Sequence, residues 1–363
     1  MKAAVCYEFG KPLSVEEVDI DPPGEGEVKV KVIATAVCHS DLHCISGEIP
    51  GRIPGVPGHE TSGYVDEVGP GVTSVKPGDP VILSTTPSGC GHCYYCTIGY
   101  PHLCQNKPMM PPHHKTKSGE PLFQMAGPVG GFAEYTVVSE RQVVVIPDDI
   151  PMDKASLISC GVLTGYGAVV NRADIKTLDS ALVMGTGGVG LNAIQTAAIS
   201  GAYPVIAVDI LDSKLEMAKQ FGATHTVNST KVEDPVKAVQ ELTHGRGADY
   251  VFVTVGNAAA LKQGFFMSAQ RGTTILIGLV PVKESISFMA FDFLGGERVL
   301  TGCGGGSTRL NIDILQIIEL YRAGLFKLDE LISGHYPFDK VNEAIESTSK
   351  GQVIRNIVMI GEK

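Results

Sequence analysis

The chain has 363 residues, 44% hydrophobic and 19% charged, the balance of a folded globular protein and not of a disordered one. Its formal net charge of −10, with no run of five Lys or Arg, argues against a nucleic-acid binder, which needs a concentrated basic surface. The opening "MKAAVCYEFGKPL" lacks the apolar core of a secretion signal, so nine cysteines point to a reducing, cytoplasmic setting. In chain order, that opening reads as a short strand and a turn. Residues 1–150 continue rich in Gly and Pro, with short alternating apolar runs: "EVKVKVIATAV", "SGYVDEVG", "DPVILST", "FAEYTVVSE" and "QVVVIP". This is the pattern of a β-rich segment with many turns.

From about residue 175 strands alternate with helices. "SALVMG" precedes a helix ending near Gly201, and "YPVIAVDI" precedes one with Asp212 as expected N-cap and Gly222 just past its end. Then come "THTVN", a helix over 233–243, "DYVFVTVG", a helix over 258–270, "TTILIGL" and "RVLTG". Near-continuous apolar strands alternating with helices imply a parallel sheet covered on both faces. The glycine cluster 302–306 is expected to be a domain crossover, followed by a helix at 310–323 and a closing strand "IRNIVMI". The most apolar stretch, 181–208, is interrupted by glycines and carries Asn192 and Gln195, so no membrane span is expected.

"GTGGVG" follows a predicted strand and opens a helix, the context a dinucleotide-binding turn needs. Gly185 permits the tight turn, Gly187 and Gly188 let backbone approach a pyrophosphate, and Gly190 permits close helix–strand packing. The helix N-terminus then offers free amides and a positive dipole to the phosphates. Asp209, nineteen residues beyond Gly190, ends the next strand; its carboxylate suits two ribose hydroxyls and would repel a 2′-phosphate, favouring NAD over NADP.

"CGHCYYCTIGYPHLC" places Cys90, Cys93, Cys96 and Cys104 within fifteen positions. Four thiolates at this density suit a closed structural zinc site, while the spacing alone also admits an iron–sulfur cluster. A thioredoxin-type centre would need another context. Elsewhere "CHSDLH" (38–43), "GHE" (58–60) and Cys160 are dispersed, and each has a plain alternative as core or turn residue.

Taken together, these motifs resemble the zinc-containing alcohol dehydrogenases of the medium-chain dehydrogenase/reductase family over essentially the whole length. "GHETSGYVDEVGPGV", the four-cysteine lobe, "CGVLTGYGA", "GTGGVG" and "GQVIRNIV" stand in the family's order. The resemblance implies an α/β protein: a mostly β, GroES-like catalytic domain (1–160, with the lobe at 90–104, and 306–363) and a Rossmann domain with a doubly wound parallel sheet (161–305). It implies two zinc ions per chain and NAD. By resemblance Cys38, His59 and Cys160 ligate the catalytic zinc; Asp41 holds His59, and Glu60 is a nearby carboxylate able to approach the metal. Ser40 bonds the alcohol, and His43 ends a proton path to solvent. His39 and Arg355 correspond to pyrophosphate contacts, Thr164 and Val189 to nicotinamide neighbours, Ile277 and Leu279 to carboxamide contacts, and Lys214 to a second ribose contact. Relatives often carry Arg at position 39 and Thr at position 40, so a weaker or pH-dependent coenzyme grip and a roomier pocket are expected.

The implied activity is reversible hydride transfer between a small alcohol and NAD, in a homodimer or homotetramer. Two enzyme alternatives are a glutathione-dependent formaldehyde dehydrogenase and a form that retains its NAD(H). The alternative of another class is a non-catalytic NAD-binding protein. The loop 105–131 aligns poorly with the family; His113 and His114 in it are expected to be a solvated pair. Cys6, Cys44 and Cys303 are expected to be small buried residues.

Overall fold

Residues 1–362 are described by a computed structural model, in which the chain forms two units. The first comprises Met1–Gly161, Arg309–Glu319 and the stretch from Leu328 to the carboxyl end; the second comprises Val162–Thr308 and Leu320–Lys327. The helix Leu310–Arg322 therefore contributes to both units, inside a stretch that the sequence reading returns whole to the catalytic domain.

In the first unit "EVKVKVIATA" forms the strand Glu27–Ala36. Its period of two sends Val28, Val30 and Val32 fully inside, while Lys29 and Lys31 stay partly exposed and Lys29 pairs with Asp66 at 2.9 Å. Antiparallel partners are Glu60–Val68, Tyr135–Ser139 and the closing strand Arg355–Met359, within a seven-stranded sheet. Val28 and Val30 pack with Val65, Val81, Leu83 and Val138, each such side chain worth roughly 1.5–3 kcal/mol on burial. This sheet fixes the ends from which Cys38 and His59 emerge.

The second unit is built on a six-stranded sheet, ordered His225–Asn228, Val205–Asp209, Ala181–Met184, Ala248–Val253, Ser268–Leu276, Val299–Gly302. Every pairing is parallel. Leu182, Met184, Ile206, Val208, Val251 and Val253 join Val239 and Leu261 of neighbouring helices in one core cluster. The intervening Ala181, Val183, Val205, Ala207 and Phe252 are fully buried too. Burial on both faces explains the continuous apolar runs. The strand order reverses between Ala181–Met184 and Ala248–Val253, the place where doubly wound sheets bind ligands.

Four local expectations need correction. Asp212 is the first residue of the helix Asp212–Gln220, which Leu211 caps; its carboxylate is taken instead by Asn228, at 2.6 Å, and Lys231. The helix expected over 258–270 ends at Met267, because the strand Ser268–Leu276 begins directly after it. His113 and His114 are not solvated: they are 6% and 0% exposed. His113 lies 3.0 Å from the Glu27 carboxylate, and His114 Nε2 meets the Tyr135 carbonyl at 2.8 Å. The glycine cluster 302–306 lies within the second unit, where Gly306 packs against Gly167, and the change of unit falls just after Thr308.

Candidate functional site

Cys38 leaves the Glu27–Ala36 strand in extended conformation and N-caps the helix His39–Ser46. Asp41, at the third helical position, reaches back so that its Oδ2 accepts from Cys38 N at 3.1 Å. Its other oxygen accepts from Gly58 N at 3.0 Å and from His59 Nδ1 at 2.8 Å. Asp41 is fully buried, so this carboxylate fixes the His59 ring and leaves Nε2 as the nitrogen a metal could take. Cys160 sits on a widened π-helical turn, Ile158–Val162, an irregularity common at functional sites.

One ligand atom each from Cys38, His59, Glu60 and Cys160 lies within 4.8 Å of the others. Two thiols, an imidazole and a buried carboxylate are the donor set of a catalytic zinc. The hydrogen bond from Cys160, then the charge of His59, hold the Cys38 thiol well below its ordinary range against the effect of burial. The same pairing, with burial, pushes Cys160 well above it. Burial works to lower His59, yet the charges of Asp41, Cys160 and Cys38 raise it well above the usual imidazole value. Burial pushes Glu60 up to about 8, against the pull of Arg355. Glu60 Oε1 accepts from Gly161 N at 2.9 Å, while Oε2 receives no hydrogen bond and stands 3.4 Å from Arg355 Nε.

Sequence reasoning missed two residues here. A Cβ on Gly161 would collide with the Arg355 guanidinium, so the glycine lets that group sit where it does. Glu48 accepts from His43 Nδ1 at 2.6 Å, fixing a ring that the sequence left without a partner. Glu48 is five residues on, across the left-handed Gly47 that ends the helix; that glycine was the available signal. Ser40 Oγ lies 3.7 Å from Cys38 Sγ, and His39 is exposed on the same helix. Arg355 is buried at 4% exposure.

The lobe cysteines also converge. Cys93 Sγ lies 3.5 Å from Cys96 Sγ and 3.9 Å from Cys104 Sγ, and none forms a disulfide. Tetrahedral zinc with sulfur at about 2.3 Å sets sulfurs about 3.8 Å apart, which these distances match. Backbone amides reach two of them, Cys93 N to Cys90 Sγ at 3.4 Å and Cys90 N to Cys104 Sγ at 3.3 Å. Arg141 clasps the lobe, donating to Ser88 O, Asn106 O and Cys104 Sγ.

In the second unit, the sites predicted for coenzyme gather at the carboxyl ends of the strands. The loop from Gly185 joins the strand Ala181–Met184 to the helix Gly188–Ile199. Gly185 has φ +88, and a Cβ on Gly190 would strike the Gly185 carbonyl. A Cβ on Gly187 would meet open space, the room a pyrophosphate needs. Asp209 ends its strand and Lys214 lies in the first turn of the following helix. Thr164 is buried beside Gly165, which packs against the backbone of Val189. Ile277 follows the strand Ser268–Leu276 and bonds Val253 O at 2.9 Å; Leu279 is half exposed.

A nucleotide-binding sheet in one unit and a cysteine–histidine metal site in the other define a metal-dependent dehydrogenase. Family models agree: residues 24–148 match the alcohol dehydrogenase GroES-like domain, and residues 188–321 the zinc-binding dehydrogenase model. The chain is 38% identical to putative alcohol dehydrogenase D of Mycobacterium tuberculosis, covering 98% of this chain and 99% of that protein. It is 37% identical to the NDMA-dependent alcohol dehydrogenase of Amycolatopsis methanolica, covering 99% and 98%. The solved benzyl alcohol dehydrogenase of Acinetobacter calcoaceticus superposes with a TM-score of 0.91 at 32% identity, covering 99% of both chains. The chain belongs to the zinc-containing alcohol dehydrogenases of the medium-chain dehydrogenase/reductase family. It is an enzyme, a zinc-dependent oxidoreductase that moves hydride between an alcohol and NAD. Among the described residues no helix is long and apolar enough to cross a membrane.

Proposed function

We propose that Cys38, His59 and Cys160 hold the catalytic zinc, and that Cys90, Cys93, Cys96 and Cys104 hold a structural one. The observation that carries the first assignment is the Asp41–His59 hydrogen bond beside two converging thiols. Zinc bound there supplies a Lewis acid that eases loss of the alcohol's proton, and NAD supplies the hydride acceptor. Ser40 takes the hydroxyl's hydrogen bond and orients the substrate. His43, with Nδ1 committed to Glu48, offers Nε2 as the base that carries the proton to solvent. Glu60 is the reserve carboxylate of the site.

In the second unit, which we read as the coenzyme domain, the amides of Gly185, Gly187, Gly188, Val189 and Gly190 receive the pyrophosphate. Asp209 and Lys214 meet the adenosine ribose; Thr164, Val189, Ile277 and Leu279 border the nicotinamide. His39, exposed on its helix, and Arg355, beside Glu60, complete the proposed pyrophosphate contacts. The substrate is a small primary or secondary alcohol or its aldehyde or ketone, and serine in place of threonine at position 40 argues for a roomier pocket. The name of the Acinetobacter relative supports aromatic alcohols among the substrates.

Exposed Val282, Met289, Phe291, Leu294 and Val299, beside the edge strand Val299–Gly302, support a homodimer or homotetramer joined through the second unit. Nine free cysteines support a cytoplasmic location. Elemental analysis of purified protein tests the metal assignment. Two zinc ions per chain are expected, with Cys160→Ser reduced to one; a single zinc or iron in the wild type contradicts it.

A further inference from the structure

The carboxylate read above as the ribose acceptor is already fully engaged by the protein. Asp209 Oδ2 accepts from Thr186 N at 2.8 Å and from Thr186 Oγ1 at 3.0 Å. Oδ1 accepts from Ile210 N at 2.8 Å and from Leu211 N at 3.1 Å. A carboxylate offers about four lone-pair sites, so two ribose hydroxyls arriving at Asp209 find none vacant. Three of the four donors are backbone amides, set by the strand end and the glycine loop. The Thr186 hydroxyl alone sits on a rotatable bond. Thr186 is 2% exposed and Asp209 9%, so water cannot stand in freely for either partner.

We propose that Thr186 is a coenzyme-affinity determinant, its hydroxyl competing with the adenosine ribose for Asp209. Resting on the assignment of Asp209 to the ribose, this adds a residue whose side chain acts against binding. When ribose enters, its hydroxyl takes the Oδ2 site and the Thr186 Oγ1–H swings away. The hydrogen bond lost by the protein offsets most of the one gained by the ligand. Removing the hydroxyl while keeping the branched shape leaves an acceptor site open and makes the ribose bond a net gain. A 2′-phosphate, which replaces a hydroxyl donor by an anion, draws no benefit from the vacancy.

The test compares wild type, Thr186→Val, Thr186→Ser and Asp209→Asn as zinc-loaded full-length chains, each checked by thermal melt. Dissociation constants are measured calorimetrically for 5′-AMP and for its 2′,3′-dideoxy analogue, and by NADH fluorescence, which no Trp obscures. Thr186→Val is expected to bind AMP and NADH about fivefold tighter, the order of one net hydrogen bond, with the dideoxy analogue unchanged. Thr186→Ser, which keeps the hydroxyl, is expected to match wild type. Thr186→Val binding AMP no better than wild type overturns the proposal, as does equal tightening of the dideoxy analogue, which would mark a general loop effect. Asp209→Asn is expected to weaken AMP and NADH; if it does not, the ribose assignment of Asp209 falls and takes the proposal with it. If Asp209→Asn weakens binding while Thr186→Val changes nothing, the proposal alone fails.

Discussion

Replacing Asp41 by Asn keeps the shape of a fully buried side chain while removing its charge and one acceptor. The carboxylate takes three hydrogen bonds, from His59 Nδ1 at 2.8 Å, Gly58 N at 3.0 Å and Cys38 N at 3.1 Å. In its better orientation the amide oxygen keeps His59 and Gly58, but its NH₂ then faces the Cys38 amide, donor against donor. Two bonds to a charged acceptor become neutral ones, each weaker by about 1 kcal/mol, and one buried N–H loses its partner at about 1–3 kcal/mol. The expected cost is therefore about 3–5 kcal/mol of stability, together with about ten- to a hundredfold weaker zinc binding through the loosened His59 ring. Both are read by urea denaturation and by zinc release to a competing chelator. One zinc per chain should leave faster than in wild type, the lobe zinc at an unchanged rate. An Asn variant with wild-type unfolding and two equally retained zinc ions would refute the reasoning.

Ser40→Ala is expected to lose at least about a hundredfold in turnover, the range of a positioned proton transfer, while Ser40→Thr stays active but disfavours bulky alcohols. Turnover of Ser40→Ala equal to wild type across pH would remove Ser40 from the proton path. His114 gives a pH signature: burial pulls it down from 6.5 to about 4, so between those values the unfolded chain binds a proton that the folded protein refuses. Stability linked to this group is intact above pH 6.5 and falls as pH drops toward 4, by about 3 kcal/mol in all. Urea midpoints should converge for wild type and a less stable His114→Gln as pH falls; a constant gap between pH 7 and 4 would contradict it.

The sheet of the second unit was readable because both its faces are covered, so that strands such as "ALVM" are apolar at every position. The glycine loop was readable because a positive φ at Gly185 and the Gly185 carbonyl against Gly190 confine those two positions to glycine. The eight residues whose donor atoms converge were equally visible as Cys, His and Glu in short motifs, although the dispersed Cys38, His59 and Cys160 needed the family's pattern to be joined. Spacing cannot show what a side chain meets across the fold. The pairing of His113 with Glu27, eighty-six positions away, turned an expected solvated pair into a buried one. Likewise Thr186 reaches Asp209 only because two parallel strands place their ends side by side. The sequence also showed the helix expected at 310–323 and found at Leu310–Arg322, but not that its residues divide between the two units.

Hydride passes directly from the alcohol carbon to NAD, and isotope transfer tests this most plainly. The zinc-loaded protein is incubated with NAD and a panel of primary alcohols deuterated at C1, and the reduced coenzyme is weighed by mass spectrometry. The account predicts reduced coenzyme carrying one deuterium from the oxidised alcohol, with none formed by Cys160→Ser. No reduced coenzyme with any alcohol of the panel, or reduced coenzyme without the label, would contradict it.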